Sequence, residues 1–255
     1  MPADMEISVI IPLVETRGRA LDSISSWARQ TLAAERYEVL VVGDGRDAVF
    51  RRRVEEKLGC NGRFIESAGR HATSLHNVGA RHARAPWLFV TESHCVSDPC
   101  CLERMLAFVG DHGLDRAFCT SDGLPGNLFS RMEQRLFEAE VRKRKAANAN
   151  VVSVRGTAIR KTQFLEVGGF VERYGHFSAL LLGDALQARG ARMGFAEDAL
   201  VFHENMDNAS DLIDSLREYG RDECRSAADA QRSSRRCQVW DERAARGRSQ
   251  SRAPG

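Results

Sequence analysis

The first hundred residues alternate between short apolar runs and longer amphipathic stretches. The apolar runs are rich in β-branched and aromatic residues and predict buried strands at 7–11, 37–42, 63–66 and 87–91. Between them, apolar residues recur with helical spacing, which predicts helices over about 18–32, 47–58 and 72–84. This alternation is typical of an α/β fold with a mostly parallel sheet and right-handed crossovers.

The second half of the chain has a less regular pattern. Its apolar segments predict helices over about 99–110, 128–146 and 178–189. Short strands are predicted at 116–120, 151–154, 157–160 and 201–204. A last amphipathic helix is expected within 206–229, and the Arg-, Ser- and Ala-rich segment 230–255 is predicted to be a disordered or loosely helical tail.

Composition narrows the classes of function only a little. With 255 residues and 43% hydrophobic content, the chain is long enough to bury one large core. The net charge of +2 indicates no nucleic-acid partner, but 10 arginines against 6 acidic residues follow position 216, so the tail is basic. A basic arm that touches phosphates or acidic lipid, and hence a peripheral membrane contact, is the functional alternative to a solvated tail.

The cysteines and the apolar runs bear on the compartment. Seven cysteines are odd in number and irregularly spaced, and no apolar signal segment opens the sequence, so we expect reduced thiols and a cytoplasmic protein. No apolar run approaches the roughly 20 residues that span a bilayer. Cys95, Cys100 and Cys101 lie near His94 and leave a zinc site open, although buried thiols are the favoured interpretation.

Candidate chemistry gathers where the fourth predicted strand ends, at Thr91-Glu-Ser-His94. Side chains alternate along an extended chain, so Glu92 and His94 leave the strand end on the same side. A carboxylate and an imidazole in that arrangement can share one divalent cation. In parallel sheets, ligands bind beyond the carboxyl ends of the strands, which is where this pair is expected.

Three segments in order resemble the motifs of the family 2 glycosyltransferases. Residues 7–12 and 37–45 are similar to that family's first strand with its proline and its second strand ending in Asp-Asp-Gly. Asn77-Val-Gly79 and then residues 89–99 resemble its Asn-x-Gly helix and its Asp-x-Asp strand end. Residues 155–170, with their Gly-Gly-Phe turn, are similar to its acceptor-side half, and His203 to a late histidine that completes the metal site in some members.

The resemblance implies a GT-A-like (Rossmann-like) single domain over 1–205, with a donor half at about 1–98 and an acceptor half at about 99–205. It implies a divalent metal, Mn²⁺ or Mg²⁺, held by Glu92, His94 and His203, where Glu92 and His94 replace both aspartates of Asp-x-Asp. A related group of sugar transferases has Asp-Ser-His at this point, so a histidine there is compatible with activity. The donor-binding residues carried over from the family are Pro12, Glu15, Asp44, Asn77, Glu92 and Ser93.

The implied activity is transfer of a sugar from a nucleotide-diphosphate donor, first of all a UDP-sugar, to an acceptor hydroxyl with inversion. A sugar, a lipid-linked molecule or a small molecule is the expected acceptor, in bacterial-type glycan or glycoconjugate synthesis. The family's Glu-Asp pair, whose second residue is the general base, falls on Ser178 and Ala179 here, and neither residue can accept a proton at neutral pH. His176 is the preferred substitute and Asp184 the second candidate.

Two other interpretations remain open on the sequence. Gly43-x-Gly45-x-x-Ala48 with Glu66 fits a dinucleotide fingerprint and would make the protein an NAD-dependent oxidoreductase. An Asp at position 44, beside the pyrophosphate, and a complete strand–helix unit before the motif count against this. The unusual metal motif and the missing base would also fit a catalytically silent scaffold or partner subunit.

Overall fold

The computed structural model describes residues 4–69, 71–146 and 152–250, without the side chains of Ala146, His176 and 232–250. Eight strands form one sheet within this part of the chain: β1 Ile7–Pro12, β2 Tyr37–Gly43, β3 Gly62–Glu66, β4 Trp87–Val90, β5 Cys95–Ser97, β6 Arg116–Gly123, β7 Thr157–Arg160 and β8 Met193–His203. The helices are α1 Ala20–Trp27, α2 Ala48–Leu58, α3 Ala72–His82, α4 Cys101–Asp111, α5 Leu128–Ala146, α6 Lys161–Glu166, α7 Ser178–Ala188 and α8 Ala209–Gln250.

The sheet is mixed, in the order β3-β2-β1-β4-β7-β6-β8-β5. The first four strands of this order are parallel, as the strand–helix alternation predicts. Strand β7 is antiparallel to both β4 and β6, while β8 is parallel to β6 and antiparallel to β5. The reversal at β7 brings the second half of the chain against β4, whose carboxyl end carries the predicted chemistry.

Apolar side chains cover both faces of the sheet. On one face, Val9 and Ile11 of β1 pack in a cluster with Trp27 of α1 and Met105 of α4. On the other face, Ile10 joins a second cluster that includes α3, α6 and α7. A strand buried on both faces is expected to be continuously apolar, which is why β1 and β2 were readable from the sequence.

The structure departs from the predicted elements in several places. Helix α1 is shorter than the predicted 18–32, and strand β8 begins at Met193, well before the predicted 201. Strand β5 was not predicted, because three residues at a sheet edge carry too little pattern. The predicted strand 151–154 is wrong for 152–154, and Val151 lies outside the described residues. Val152 is buried without being in a strand, and the Thr157 hydroxyl donates to the Ser153 carbonyl at 2.7 Å in a turn. Helix α8 continues to Gln250, past the expected end at 229, and residues 251–255 of the expected tail lie outside the described residues. The division of the domain into a donor half and an acceptor half stays a prediction.

A clasp centred on Asn77 joins α3 to the turn after α6. The buried Asn77 amide donates to the carbonyl of Phe170 at 2.9 Å and accepts from its N–H at 2.9 Å. It also donates to the Glu172 carboxylate at 3.1 Å. Gly169 precedes Phe170 with φ of 69°, and a Cβ at Gly169 would lie 2.5 Å from Asn77 Oδ1, so the turn requires a glycine.

Glu38 is fully buried on β2 and is ionised within a ring of donors. It accepts from Ser8 Oγ at 2.8 Å and from the Arg84 backbone N–H at 2.7 Å, and it pairs with the guanidinium groups of Arg84 and Arg63. Burial alone would raise its pKa, but the bonds from Arg84 and Ser8 and the two positive charges outweigh burial and lower the pKa. Glu38 therefore fastens β2, β1 and the segment before β4 together.

We predict that Glu38→Gln destabilises the fold by about 1–3 kcal/mol at pH 7, because a neutral amide cannot satisfy these donors. Since the folded-state pKa is lowered, the carboxylate's contribution is complete above an unfolded-state pKa of about 4.5 and is lost as the pH falls through the folded-state pKa. Urea unfolding from pH 7 to pH 3 should therefore show the gap between wild type and variant closing in acid. Glu55→Gln, at an exposed helix position, is the control, and a gap constant with pH would contradict the assignment.

We predict that Asn77→Leu costs about 2–4 kcal/mol, because it leaves both backbone polar groups of Phe170 without their bonds in a buried place. Asn77→Asp keeps only the acceptor and should be intermediate. Chemical denaturation measures both. A stable Asn77→Leu protein with lost nucleotide affinity would instead support the direct donor-binding role expected from the sequence.

Candidate functional site

The candidate site forms where the end of β4 meets the end of β8. The Thr91 N–H, just after β4, still donates to the Ile10 carbonyl of β1 at 3.3 Å, and the chain leaves the sheet beyond it. It turns through Glu92–His94 and returns as β5, where Cys95 pairs with His203 at the end of β8. The Glu204 N–H donates to the His94 carbonyl at 3.0 Å, which fixes the register of the two segments.

Three potential ligand atoms converge there. The Nε2 atoms of His94 and His203 are 3.1 Å apart, and Glu92 Oε2 lies 3.8 Å from the first and 3.5 Å from the second. Two ligands at right angles and about 2.1 Å from one ion are about 3 Å apart, so these separations fit a shared cation. The three residues form the two-histidine, one-carboxylate set that suits divalent first-row metals. The predicted trio is thus brought together.

The protonation states also suit a cation. Burial lowers the pKa of His94, and burial together with the Arg155 charge lowers the pKa of His203 to about 3, so both rings are neutral at pH 7. Burial works to raise the pKa of Glu92, but the positive charge of the neighbouring Arg155 favours the carboxylate, and that pKa is held well below its usual range. The cluster therefore offers one carboxylate and two neutral imidazoles.

The cluster of ligands in the described part of the chain contains no cysteine. Cys95 and Cys101 are buried, and burial raises the pKa of Cys95 to about 12, which leaves its thiol protonated. These thiols pack in the core, as the favoured interpretation of the sequence holds, and the zinc alternative is not supported.

A cavity of about 620 Å³ opens above Glu92 and His203. Its walls come from the loop after β1, from α5, from the segment 152–155, and from the starts of α7 and α8. The apolar part of the lining consists of Leu136, Phe137, Val141, Val152, Val154, Ala179, Leu180, Met206, Leu212 and Leu216. A mostly apolar cavity with charged groups at one end is typical of a small-molecule site.

The charged end of the cavity is built around Glu133 of α5. Its carboxylate accepts from Arg155 Nη2 at 2.6 Å and from the Met206 N–H at 2.6 Å, and Arg17 Nη1 lies 4.0 Å away. The Arg155 guanidinium is mostly buried and lies 4.0 Å from the centre of the Phe137 ring. Two guanidinium groups thus line the same cavity as Glu92.

The loop between β1 and α1 has unusual backbone geometry beside the cavity. Glu15 and Arg17 have φ values of 50° and 45°, a region that non-glycine residues seldom occupy. Such strain persists where surrounding contacts enforce it and is concentrated at functional sites. Arg17 is held there by the Glu204 carbonyl at 2.6 Å, while Glu15, one of the expected donor residues, lines the cavity.

Of the expected donor residues, Glu15 and Glu92 line the cavity, whereas Pro12, Asp44, Asn77 and Ser93 are not part of its lining. Pro12 is buried at the end of β1, and Asp44 is exposed after β2 beside Arg46. Ser93 is fully buried and donates to the Val14 carbonyl at 2.8 Å, so its hydroxyl supports the loop rather than facing a ligand. The Asn77 amide is occupied by the clasp with Phe170.

The acceptor side differs from the sequence expectation. Ala179 lines the cavity, so the position expected for a base faces the site but carries a methyl group. Asp184, the second candidate for the base, is exposed on α7 and acts electrostatically on Arg116, at the start of β6, whereas the cluster lies by the end of β6. His176 precedes α7 in the 3-10 helix Glu172–Phe177, but its side chain lies outside the described part of the chain.

The dinucleotide interpretation is not supported by the start of α2. Asp47 caps this helix and accepts from the N–H groups of Val49 and Phe50 at 3.0 Å and 2.9 Å. These are the helix N-terminal donors that a pyrophosphate would need. The motif from Gly43 to Ala48 therefore closes a turn and caps a helix.

Sequence reasoning missed several residues of the site. Glu133, Arg17 and Gln134 carry no local signal, because their neighbours are distant in sequence. Asn205 follows His203 by two positions and is buried, and its side chain accepts from the His203 ring at 2.7 Å. A polar residue two positions after an expected metal-ligand histidine is the one signal that could have found it.

Comparison with known proteins agrees with this geometry. The model of the family "Glycosyl transferase family 2" matches residues 8–168. A validoxylamine A glucosyltransferase of Streptomyces hygroscopicus subsp. jinggangensis is 36% identical over 107 residues, which is 40% of this chain and 25% of that protein.

Solved structures resemble the fold at low sequence identity. The mannosyltransferase PcManGT from Pyrobaculum calidifontis, in complex with GDP-Man and Mn²⁺, has a TM-score of 0.60 at 17% identity over 79% of this chain and 57% of that one. S. aureus TarS 1-349 in complex with UDP-GlcNAc has a TM-score of 0.55 at 16% identity over 80% and 60%.

The matched region spans only part of these relatives, about a quarter of the curated glucosyltransferase and under two thirds of the solved chains. The architecture is nonetheless the one the sequence predicted, a GT-A-like α/β domain with its sheet between helices. Since the family model covers more than half of the residues, the chain belongs to glycosyl transferase family 2.

Proposed function

We propose that this protein transfers a sugar from a nucleoside-diphosphate donor to an acceptor hydroxyl, with a divalent cation bound by Glu92, His94 and His203. The observation that carries the proposal is the convergence of these three side chains at one end of a cavity, in a member of a sugar-transferring family. Structural neighbours bound to UDP, to UDP-GlcNAc, and to GDP-Man with Mn²⁺ support this class of donor.

The chemistry requires the leaving diphosphate to be stabilised. When bound, a divalent cation acts as a Lewis acid on the phosphate oxygens. The chain adds Arg155 and Arg17, whose guanidinium groups line the same cavity and favour negative charge there. Glu133 binds the Arg155 guanidinium and the Glu204 carbonyl binds that of Arg17, so both groups are already ordered, which avoids the entropy cost of ordering them during the reaction.

The nucleoside would lie along the carboxyl ends of β1 and β2. Pro12 and Glu15 would border it, and Asp44, exposed at the end of β2, is free of the core and available to a base N–H. UDP is the first nucleotide to test, because two of the neighbours are complexes with UDP or UDP-GlcNAc. Ser93 and Asn77 would support the site only indirectly, through the loop after β1 and the turn at Phe170.

We propose His176 as the general base for an inverting transfer, in which the acceptor oxygen loses its proton as it attacks. Its position supports this role: Phe177, the next residue, packs against Tyr219 at 5.7 Å between ring centres, and Tyr219 lines the cavity. An imidazole has a suitable pKa for a base near neutral pH. The acceptor remains a sugar, a lipid-linked molecule or a small molecule.

Membrane contact concerns the helices and the basic C-terminal segment. None of the helices in the described residues combines the length and apolar character needed to cross a bilayer. Peripheral contact through the basic segment after Arg217 stays a proposal, as do a cytoplasmic location and a role in glycan or glycoconjugate synthesis.

We predict that His94→Ala lowers Mn²⁺-dependent turnover of its donor by about 100-fold or more, because changes next to a metal ligand alone cost about 10–100-fold. The measurement is release of the nucleoside diphosphate from UDP-glucose, UDP-GlcNAc and GDP-mannose, with and without Mn²⁺. His112→Ala, an exposed histidine at the end of α4, is the matched control and should retain wild-type turnover.

Turnover unchanged in His94→Ala, or independent of added metal, would contradict the metal assignment. Nucleotide binding without turnover of any donor and acceptor would favour the silent scaffold, which the apolar Ala179 at the expected base position also fits.

We predict that His176→Gln separates transfer from donor binding. Removing the base should lower the rate of transfer to the acceptor by about 100-fold or more, since general-base catalysis contributes about 10²–10⁴-fold. The Kd for UDP should stay within threefold of wild type. Equal transfer rates in wild type and His176→Gln would contradict His176 as the base. A carboxylate lining the cavity would then be the proton acceptor, and Glu223→Gln tests one such carboxylate.

A further inference from the structure

A chain of buried amides runs from the sheet to the ligand His203. Gln134 Nε2 donates to the backbone carbonyl of Ser121 at 2.8 Å. Asn205 Nδ2 donates to Gln134 Oε1 at 3.2 Å, and Asn205 Oδ1 lies 2.7 Å from His203 Nδ1. Asn205 and His203 are almost fully enclosed, with 3% and 1% of their surface exposed.

The direction of this chain follows from its first member. A backbone carbonyl can only accept, so Gln134 must turn its NH₂ toward Ser121 and its oxygen toward Asn205. That oxygen can only accept as well, so Asn205 must turn its NH₂ toward Gln134 and its oxygen toward the ring. Because an amide oxygen cannot donate, the ring nitrogen facing it must carry the hydrogen. The imidazole of His203 therefore has N–H at Nδ1.

The consequence lies at the other ring nitrogen. A neutral imidazole protonated at Nδ1 has its lone pair at Nε2. His203 Nε2 is the atom that faces His94 Nε2 at 3.1 Å and Glu92 Oε2 at 3.5 Å. The lone pair is thus directed at the centre of the cluster, which is the state a metal ligand needs.

The fold reserves space for this arrangement. A Cβ at Gly123 would lie 2.7 Å from Asn205 Nδ2 and 3.4 Å from the Gln134 side chain. Gly123 pairs with His203 across the β6–β8 ladder, so the small residue stands directly beside the amides. His94 differs, because its Nδ1 is buried without a hydrogen-bond partner among the described residues. Of the two histidines, His203 is the one whose ring has hydrogen-bonded support.

We propose that Asn205, oriented by Gln134, is a positioning residue that fixes the His203 tautomer and thereby sets the affinity of the cluster for a divalent cation. The consequence for metal affinity rests on the proposed function, whereas the tautomer does not. In metal-binding histidines, the group that accepts from the second ring nitrogen typically governs affinity by about 10–100-fold.

The first test uses the full chain without added metal and reads the tautomer. Side-chain ¹⁵N NMR of histidine-labelled protein, with His203→Gln to assign the signal, distinguishes N–H at Nδ1 from N–H at Nε2. Wild type should show Nδ1–H alone. Asn205→Leu and Gln134→Leu should both populate Nε2–H, whereas Asn205→Asp keeps an acceptor and should retain Nδ1–H.

The second test measures Mn²⁺ affinity of the same proteins by EPR of the free ion. Asn205→Leu should bind about 10–100-fold more weakly than wild type, and Asn205→Asp at least as well as wild type. Ser121→Ala is the control: its hydroxyl has no hydrogen-bond partner among the described residues, and the substitution leaves the carbonyl that anchors the chain. It should match wild type in both measurements.

The outcomes separate this proposal from the proposed function. Wild-type Mn²⁺ binding with an unchanged tautomer and unchanged affinity in Asn205→Leu would overturn the positioning role and leave the metal site intact. A tautomer that shifts as expected, in a protein whose wild type binds no Mn²⁺, would support the orientation by Asn205 and contradict the proposed metal site. Should Asn205→Leu fail to fold, Gln134→Leu decides: an unshifted tautomer there overturns the proposal.

Discussion

The antiparallel pairing of β5 with β8 is the constraint on which the site depends. His94 and His203 are 109 residues apart in sequence. The pairing of Cys95 with His203 brings the Nε2 atoms of the two histidines to 3.1 Å from each other. The pairing is possible because β7 reverses direction beside β4 and β6 pairs with β8, which leaves the other side of β8 open to the edge strand β5. Without it, Glu92 and His94 would be two ligands at a strand end, too few to hold a cation firmly.

The two halves of the site are built by different physical means. At the cluster, burial keeps both imidazoles neutral, while the Glu92 carboxyl stays ionised with help from Arg155. At the far side of the cavity, apolar side chains from α5, α7 and α8 dominate. The first arrangement suits a cation, and the second forms an apolar wall opposite it.

The elements that the sequence predicts are those determined by residues close to one another along the chain. The buried strands β1, β2 and β4 and helix α5 follow from periodicity, and the resemblance to a family added His203. Glu92 and His94 do come together, but through the turn at 92–94 and not through the alternation of an extended strand. Position along α7 does not reveal which end of the sheet a side chain faces, so the sequence could not show that Asp184 lies near Arg116, at the start of β6. Glu133 and Gln134 could not be predicted, since their partners Arg155 and Asn205 are distant in sequence and are brought to them only by the fold.

We propose that Glu92, His94 and His203 hold one divalent cation beside the donor diphosphate. Anomalous diffraction at the manganese edge, from crystals grown with Mn²⁺ and UDP, is the most direct test of this site. We expect a single strong peak within bonding distance of Glu92 Oε2 and of the Nε2 atoms of both histidines, next to the phosphates. UDP bound in the cavity with no manganese peak at this cluster would contradict it.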